Sequence, residues 1–437
     1  MVESKGRRRI FYGWWLVLAS TVAHAMYGGL YFYGFSTFFM PLIQEFGWSR
    51  TLLSGAFSLT RIQGGILGPL GGFLVDRLGA RKMMAVGIFV MGAGFILLSL
   101  IHSLFAFYIV FIFVLALGGT TGMNQAAKTV IAHWFIRKRG TAFGIAVSGV
   151  GLGGAMVPVL GLLIVQYGWR MTCVYIGIAI WVIGIPLSLV MRTSPEKYGW
   201  LPDGDVKKDV RKEQPTDGKT LPDSAAVEDA EDISFTPRQA LRTAAFWLLS
   251  LVYGLRQFVV AAVVVHQIPF LVGIGIAPEL AATLLGSLAL ISIVGRLGFG
   301  RLSDYVQKRY VMAVCLAMLA VGCFILAGAQ DLRHVILFLI IYSPAYGGGS
   351  IMMQALRADY FGRKHFATIM GWMDLFMMFG SVLGPIYAGW IFDISGSYRT
   401  AFVTFAIVAT AAMVLMLAAR RPVLRPAGVV PDSRTVA

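Results

Sequence analysis

The sequence predicts an all-α membrane protein with twelve transmembrane helices in two pseudo-symmetric six-helix bundles. Three observations carry that prediction. First, 57% of the 437 residues are hydrophobic and only 13% are charged. A soluble chain of this length could not hide so much apolar surface, so its main solvent is lipid. Second, the apolar residues come in long runs broken by short charged patches. Third, one set of residues occurs twice. Gly72-Phe73-Leu74-Val75-Asp76-Arg77 is echoed by Gly300-Arg301-Leu302-Ser303-Asp304, and Trp134-Phe135 with Arg137 to Gly140 by Tyr360-Phe361 with Arg363-Lys364. Pro158 is matched by Pro385, and Gly168-Trp169-Arg170 by Ser397-Tyr398-Arg399. Like halves related by an axis along the membrane normal place a binding site between them, near the midplane.

The spans are expected near 11–41, 51–75, 83–101, 104–133, 140–166, 170–191, 243–271, 280–302, 310–329, 333–357, 366–392 and 399–419. Each approaches or exceeds the roughly 20 residues that cross a bilayer. Residues 1–191 form the first half, and 243–437 form the second with a short cytoplasmic tail. Residues 192–242 are polar, contain Pro195, Pro202, Pro215 and Pro222, and lack apolar clusters. They cannot bury enough surface to fold alone and read as a cytoplasmic linker. At the linker's end, Thr236 followed by Pro237 is a helix start, which predicts a short surface helix before span 7.

Lys and Arg set the orientation. Arg77, Arg81, Lys82, Arg137, Lys138, Arg139, Arg301, Lys308, Arg309, Arg363 and Lys364 fall in connections on one side. Arg50, Arg170, Arg333 and Arg399 fall on the other. The richer side is cytoplasmic, and both termini lie there. This distribution also accounts for the net charge of +16 without a nucleic-acid partner. The basic start (Lys5, Arg7, Arg8, Arg9) precedes an apolar run too long for a cleavable signal. Cys173, Cys315 and Cys323 fall in apolar segments with no paired spacing, so neither a disulfide framework nor a metal site is expected. No cofactor and no enzyme motif is read.

Ionisable residues inside spans are costly and are functional candidates by default. They are Arg61 in span 2, Lys128 in span 4, Arg256 in span 7, Arg296 in span 8 and Asp374 in span 11, with His24 and His266 as neutral or switchable groups. Four cations against one carboxylate make a cavity that attracts anions. Arg256 lies about 18 Å into its helix, near mid-membrane. Together with Gln257 it is either a carboxylate clamp or the structural partner of Asp374. Asn124 and Lys128, four apart, share a face of span 4. Lys128 either contacts substrate or extends to the headgroups. Span 10 offers Tyr342, Tyr346 and Gln354 around Gly347 to Gly349. In span 1, Tyr27 and Tyr31 share a face with His24 that is taken as cavity-lining, Gly28-Gly29 permits a bend, and Tyr33 reads as an interface anchor. Arg61 is expected in the outer half as a gate charge or anion lure. Asp374 and His24 are the groups available for proton coupling. Pro158 and Pro385 mark bends.

The loop Gly72 to Asp76-Arg77, Gly79 and Arg81-Lys82 resembles the signature between helices 2 and 3 of the major facilitator superfamily. Its weaker copy runs from Gly300 to Arg309. Tyr12 to Trp15, Glu45 to Thr51, Trp134 to Gly140, Gly295-Arg296-Leu297 and Gly384-Pro385 to Arg399 resemble the bacterial monocarboxylate-transporter and oxalate/formate-antiporter branch. The resemblance covers nearly the whole chain. It implies alternating access in a bacterial inner membrane and secondary active transport of a small mono- or dicarboxylate by a monomer, with a co-transported proton or a counter-anion. It makes Arg296 the substrate-binding arginine. It also makes Asp76, with Arg77 and Arg81 nearby, a helix cap that helps close the cytoplasmic side, with Asp304 in the repeat. The chain departs from animal members at Tyr12, at Phe35 to Phe39 and at Ser292, where they carry an acid, a lysine and an aspartate. These departures weaken the carry-over of their proton symport and leave the anion site intact. An exporter of drugs or neutral solutes, or a transporter-like sensor, remains the alternative.

Overall fold

The computed structural model describes residues 11–204 and 234–422. The basic start, the middle of the expected linker and most of the expected tail lie outside the described residues. Among the described residues, twelve spanning helices form two six-helix bundles. Among the described residues, nine stretches are long and apolar enough to cross a membrane, and one of them, the 52-residue Arg139–Val190, holds spans 5 and 6. Spans 1 and 2 complete the twelve.

Span 1 comprises α1 (Tyr12–Met26), a π-helical stretch Tyr27–Tyr33 and a 3₁₀ stretch Gly34–Phe38, and α2 (Phe39–Phe46) carries the chain from it into the connection with span 2. Span 2 is α3 (Arg50–Leu78) and span 3 is α4 (Ala80–Ser99). Span 4 comprises α5 (Leu104–Tyr108), π-helical Ile109–Ala116 and Gly119–Gln125, and α6 (Ala126–Trp134). Spans 5 and 6 comprise α7 (Arg139–Gly153), a 3₁₀ turn Gly154–Met156 and α8 (Val157–Val190). The second half follows a short α9 (Pro237–Leu241). Its spans are α10 (Ala244–Gly273), α11 (Pro278–Leu302), α12 (Lys308–Ala327), α13 (Leu332–Phe361), α14 (Phe366–Ser395) and α15 (Arg399–Ala418).

Local chemistry explains the ends. Ser49 caps α3 through Leu52 N–H at 3.2 Å, Ser103 caps α5 through Ala106 N–H at 3.2 Å, and Asp331 caps α13 through His334 N–H at 3.1 Å. Thr236 and Gln239 form a capping box around α9, with Pro237 in its first turn. Gly168, at φ 76° and ψ 161°, breaks α8 into spans 5 and 6.

Two sequence expectations change. Pro158 and Pro385 are not equivalent bends: Pro158 restarts a helix after the 3₁₀ turn, whereas Pro385 sits inside a continuous α14. The flanks of the 192–242 stretch are also packed rather than loose. Asp203 accepts hydrogen bonds from the backbone N–H groups of Ile136, Arg137 and Lys138 at 3.1, 2.8 and 3.2 Å, and Phe235 is buried.

The halves meet along α3 with α14 and along α7 with α11. Glycines make these seams. A Cβ on Gly72 would strike the Ala367 carbonyl, one on Gly371 the Gly68 carbonyl, and one on Gly140 the Gly300 carbonyl. Without a hydrophobic drive between helices in lipid, such close backbone approach supplies the packing energy. The tightest cross-half approaches lie toward the end of the molecule that carries Asp76 and Asp304, which is therefore the closed end.

Candidate functional site

Two carboxylates fasten the closed end in a reciprocal pattern. Asp76, near the end of α3, accepts from Ala367 N–H at 3.2 Å, Thr368 N–H at 2.8 Å and Thr368 Oγ1 at 2.6 Å, at the start of α14. Asp304, just after α11, accepts from Gly140 N–H at 2.8 Å, Thr141 N–H at 3.1 Å and Thr141 Oγ1 at 2.5 Å, at the start of α7. Each copy of the repeat thus caps a helix of the opposite half, where a carboxylate meets orphan N–H groups and the positive helix end. Arg77 is exposed, 5.9 Å from the Phe73 ring, and Arg81 is exposed beside it in sequence.

A further knot lies beside these caps. Arg139, read from the sequence as a surface topology signal, is almost fully buried. It donates to Asp359 of α13 at 2.5 Å and to the Phe135 carbonyl at 2.9 Å. Lys308 pairs with the same Asp359 at 2.7 Å. Arg363 and His133 bridge the halves as well: Arg363 donates to the His133 carbonyl at 2.6 Å, and His133 Nε2 donates to the Arg363 carbonyl at 2.7 Å.

Deeper in, Arg296 on α11 reaches across to the other half. Its Nη1 donates to the Val147 carbonyl of α7 at 3.4 Å and lies against Gly151. It is 5% exposed. Arg256 on α10 is 3% exposed, donates to the Tyr346 carbonyl at 2.7 Å, and lies 5.9 Å from the Tyr346 ring. Gly349 leaves the room its guanidinium occupies. Arg256 and Arg296 interact electrostatically. Gln257 is half-buried beside Arg256.

Asp374 does not pair with Arg256, as one reading of the sequence had it. Arg357 of α13 donates to it at 2.7 Å and to Gln354 at 3.3 Å, and stands 5.1 Å from the Tyr253 ring. Sequence reasoning missed Arg357 because span 10 was expected to end there. The helix runs on to Phe361, which sets the residue about 6 Å deeper. Lys128 interacts electrostatically with Asp374 and Arg357 across the halves rather than extending to the headgroups.

The first half supplies a polar group around Asn124. Tyr27 lies beside Thr120 and Asn124 and interacts with Arg61; Tyr31 lies beside Thr60 and also interacts with Arg61. Arg61 therefore sits beside the span-1 tyrosines. Tyr27 and Asn124 both lie on π-helical stretches, which the sequence did not announce. The Gly28-Gly29 pair shapes the first of these, because a Cβ at either would stand 2.5 Å from a carbonyl of Val150 or Gly153 in α7.

Three more placements correct the sequence reading. His24 is fully buried, its Nδ1 donating to the Ser20 carbonyl at 2.7 Å, and it interacts electrostatically with Lys128 and Arg296, with Asn124 alongside. Tyr342 is also fully buried, its ring tilted against Phe338 with centroids 4.8 Å apart, and it is tucked against Gly322, behind Arg256. Tyr33 is no interface anchor, since it is half-buried and interacts with Tyr346 and Arg296 of the other half. His266 instead ties α10 to α14 and to Tyr398, through the Pro385 carbonyl at 2.9 Å and Tyr398 Oη at 3.1 Å. Among the described residues no cluster of His, Cys, Asp and Glu could hold a metal ion, and the three cysteines are buried and free.

Comparison with known proteins fits this geometry. The family model described as Major Facilitator Superfamily matches residues 16–343 and 268–435. Monocarboxylate transporter 12-B of Danio rerio is 24% identical over 402 residues, covering 88% of this chain and 82% of that protein. The oxalate:formate antiporter of Oxalobacter formigenes is 23% identical over 405 residues, covering 90% of each. The solved human organic anion transporter MFSD10 superposes with a TM-score of 0.70 at 15% identity, covering 92% of this chain and 99% of that one. FucP in the outward conformation also gives 0.70, at 16% identity, covering 93% and 99%. At these identities the structural likeness speaks for the fold alone.

Proposed function

The chain belongs to the Major Facilitator Superfamily, and from that premise we propose that it is a secondary active transporter of a small organic anion, a carboxylate, bound between the halves. One observation carries the carboxylate reading. Arg296 is nearly buried at the surface where the halves meet, and among the described residues no carboxylate pairs with it. A buried guanidinium without a counter-charge is costly, and it offers a carboxylate two parallel hydrogen bonds. Tyr33, Tyr346 and Asn124 supply further polar contacts. The similarity to monocarboxylate transporters and to an oxalate:formate antiporter supports the same class.

Closure at the Asp76 end corresponds to an outward-facing state if that end is cytoplasmic. The excess of Lys and Arg in the connections there supports this orientation. Transport then requires the Asp76 and Asp304 caps to open, and the contact of Arg296 with Val147 to break, as the halves rock. Asp374, with Lys128 and Arg357, is the acidic group available for coupling to a proton; exchange against a second anion needs none. One chain holds both halves and works as a monomer in a bacterial inner membrane.

Ligand-induced thermal stabilisation tests the reading. A carboxylate at about a hundredfold its Kd stabilises the purified protein by about 2.7 kcal/mol. The Arg296→Ala variant should lose that response. If only neutral or cationic compounds stabilise the protein, or Arg296→Ala responds as wild type does, the carboxylate reading falls and an exporter takes its place.

A further inference from the structure

Building on the carboxylate reading, we infer that the site selects dianions, with Arg256 and Arg296 each taking one carboxylate of a small dicarboxylate. The inference starts from charge placement. Five candidate cations lie within the spans: Arg61, Lys128, Arg256, Arg296 and Arg357. Asp374 is held by Arg357 at 2.7 Å and interacts with Lys128. It is therefore committed to a different corner from Arg256. Among the described residues neither Arg256 nor Arg296 makes an ion pair with a carboxylate.

Their remaining partners are neutral. Arg256 has the Tyr346 carbonyl at 2.7 Å and the Met353 sulfur at 3.5 Å, and its Nε–H has no acceptor. Arg296 has the Val147 carbonyl at 3.4 Å, and its Nε–H also has none. Guanidinium groups stay charged at any working pH, so proton loss cannot relieve this. The two interact electrostatically, each raising the cost of the other. Tyr346 adjoins Arg256, its ring 5.9 Å from the guanidinium, and Tyr33 interacts with Arg296 and with Tyr346. A tyrosine hydroxyl can donate to either end of a bound dianion.

A monoanion neutralises one guanidinium and leaves the other buried and unpaired. A dianion neutralises both. The arrangement thus penalises single charge through the unmatched arginine, which is a specificity device based on a cost and not only on a contact. The two arginines sit on neighbouring helices of the same half, α10 and α11. Arg296 alone also touches the other half, so a dianion held by both ties ligand binding to the seam.

The test is the ratio of affinities for paired probes, measured by concentration-dependent thermal shift on the full chain at a pH where every probe is fully ionised. The probes are oxalate, malonate and succinate against formate, acetate and lactate. Wild type should bind its best dicarboxylate at least about tenfold more tightly than its best monocarboxylate. Arg256→Gln should bring that ratio to about one, the loss of affinity being larger for the dicarboxylates. Arg256→Lys, which keeps the charge and guards against a folding artefact, should retain a preference. If wild type binds mono- and dicarboxylates equally, or if Arg256→Gln keeps the dicarboxylate preference, the dianion inference is overturned while the carboxylate reading survives. If no carboxylate binds wild type, both fall together.

Discussion

Asp374 accepts a hydrogen bond from Arg357 at 2.7 Å, joining α14 to α13. Arg357 is 1% exposed on its side chain and Asp374 is 30% exposed, so the arginine depends on the pair more than the acid does. The pairing removes the one nearby carboxylate from Arg256 and leaves the centre of the site cationic.

Removing Asp374 strands a buried guanidinium. Asp374→Asn is expected to destabilise the protein by about 3 kcal/mol, because truncating one partner of a buried pair leaves an uncompensated charge. Arg357→Met with Asp374→Leu should cost less than Asp374→Asn alone. Unfolding midpoints of the three proteins in one detergent check this. A double variant less stable than the single would show that the pair stabilises the fold outright.

The caps at Asp76 and Asp304 hold the closed end. Loss of either by substitution with Ala should cost about 0.5–2 kcal/mol in that state. Spin labels at Lys138 and Lys364, exposed on opposite halves there, report the effect. Asp76→Ala and Asp304→Ala should each add a longer-distance population. Distance distributions identical to wild type would remove the caps from the closing device.

Close backbone approach makes a second, steric prediction. Ala at Gly72 would collide with the Ala367 carbonyl, whereas Gly64, on the same helix, faces open space. Met370 on α14 is buried in this region, so a cysteine placed there probes it. Gly72→Ala should speed its alkylation by a water-soluble reagent several-fold, and Gly64→Ala should leave the rate unchanged. Equal rates in all three backgrounds would show that the seam yields without opening.

The opposite end carries a pH-dependent pair. Glu45 is held below the usual carboxylate range by hydrogen bonds from Arg170 and Trp169, Arg170 reaching it at 2.7 Å. A depressed folded-state pKa stabilises above the unfolded value, near 4.3, and that stabilisation is lost as pH falls through the folded value. The pair is exposed, so its contribution should be only about 0.2–1 kcal/mol. Wild type and Glu45→Gln should differ slightly in melting temperature at pH 7 and converge below pH 4. A difference that persists in acid would assign the effect to packing around Trp169.

Much of this protein was legible in its order of residues. Apolar runs of bilayer length set the spans, and the repeat around Asp76 and Asp304 set two like halves. Charge inside apolar helices pointed to Arg61, Lys128, Arg256, Arg296 and Asp374, because such residues are too costly to be incidental. These features are local or periodic, so a linear reading captures them. Which charges neutralise one another is a different kind of fact. Arg357 became visible only when α13 proved longer than its apolar core, and Arg139 only when Asp359 was found above it. Tyr33, at the end of a π-helical stretch, meets residues of the other half; Tyr342 is buried against Gly322; and His24 is buried with its Nδ1 on the Ser20 carbonyl. Chain order fixes the depth of a residue, since rise per residue is constant along a helix. The partner across the cavity depends on helix rotation and on glycine contacts between distant segments, and only the packed tertiary structure decides those.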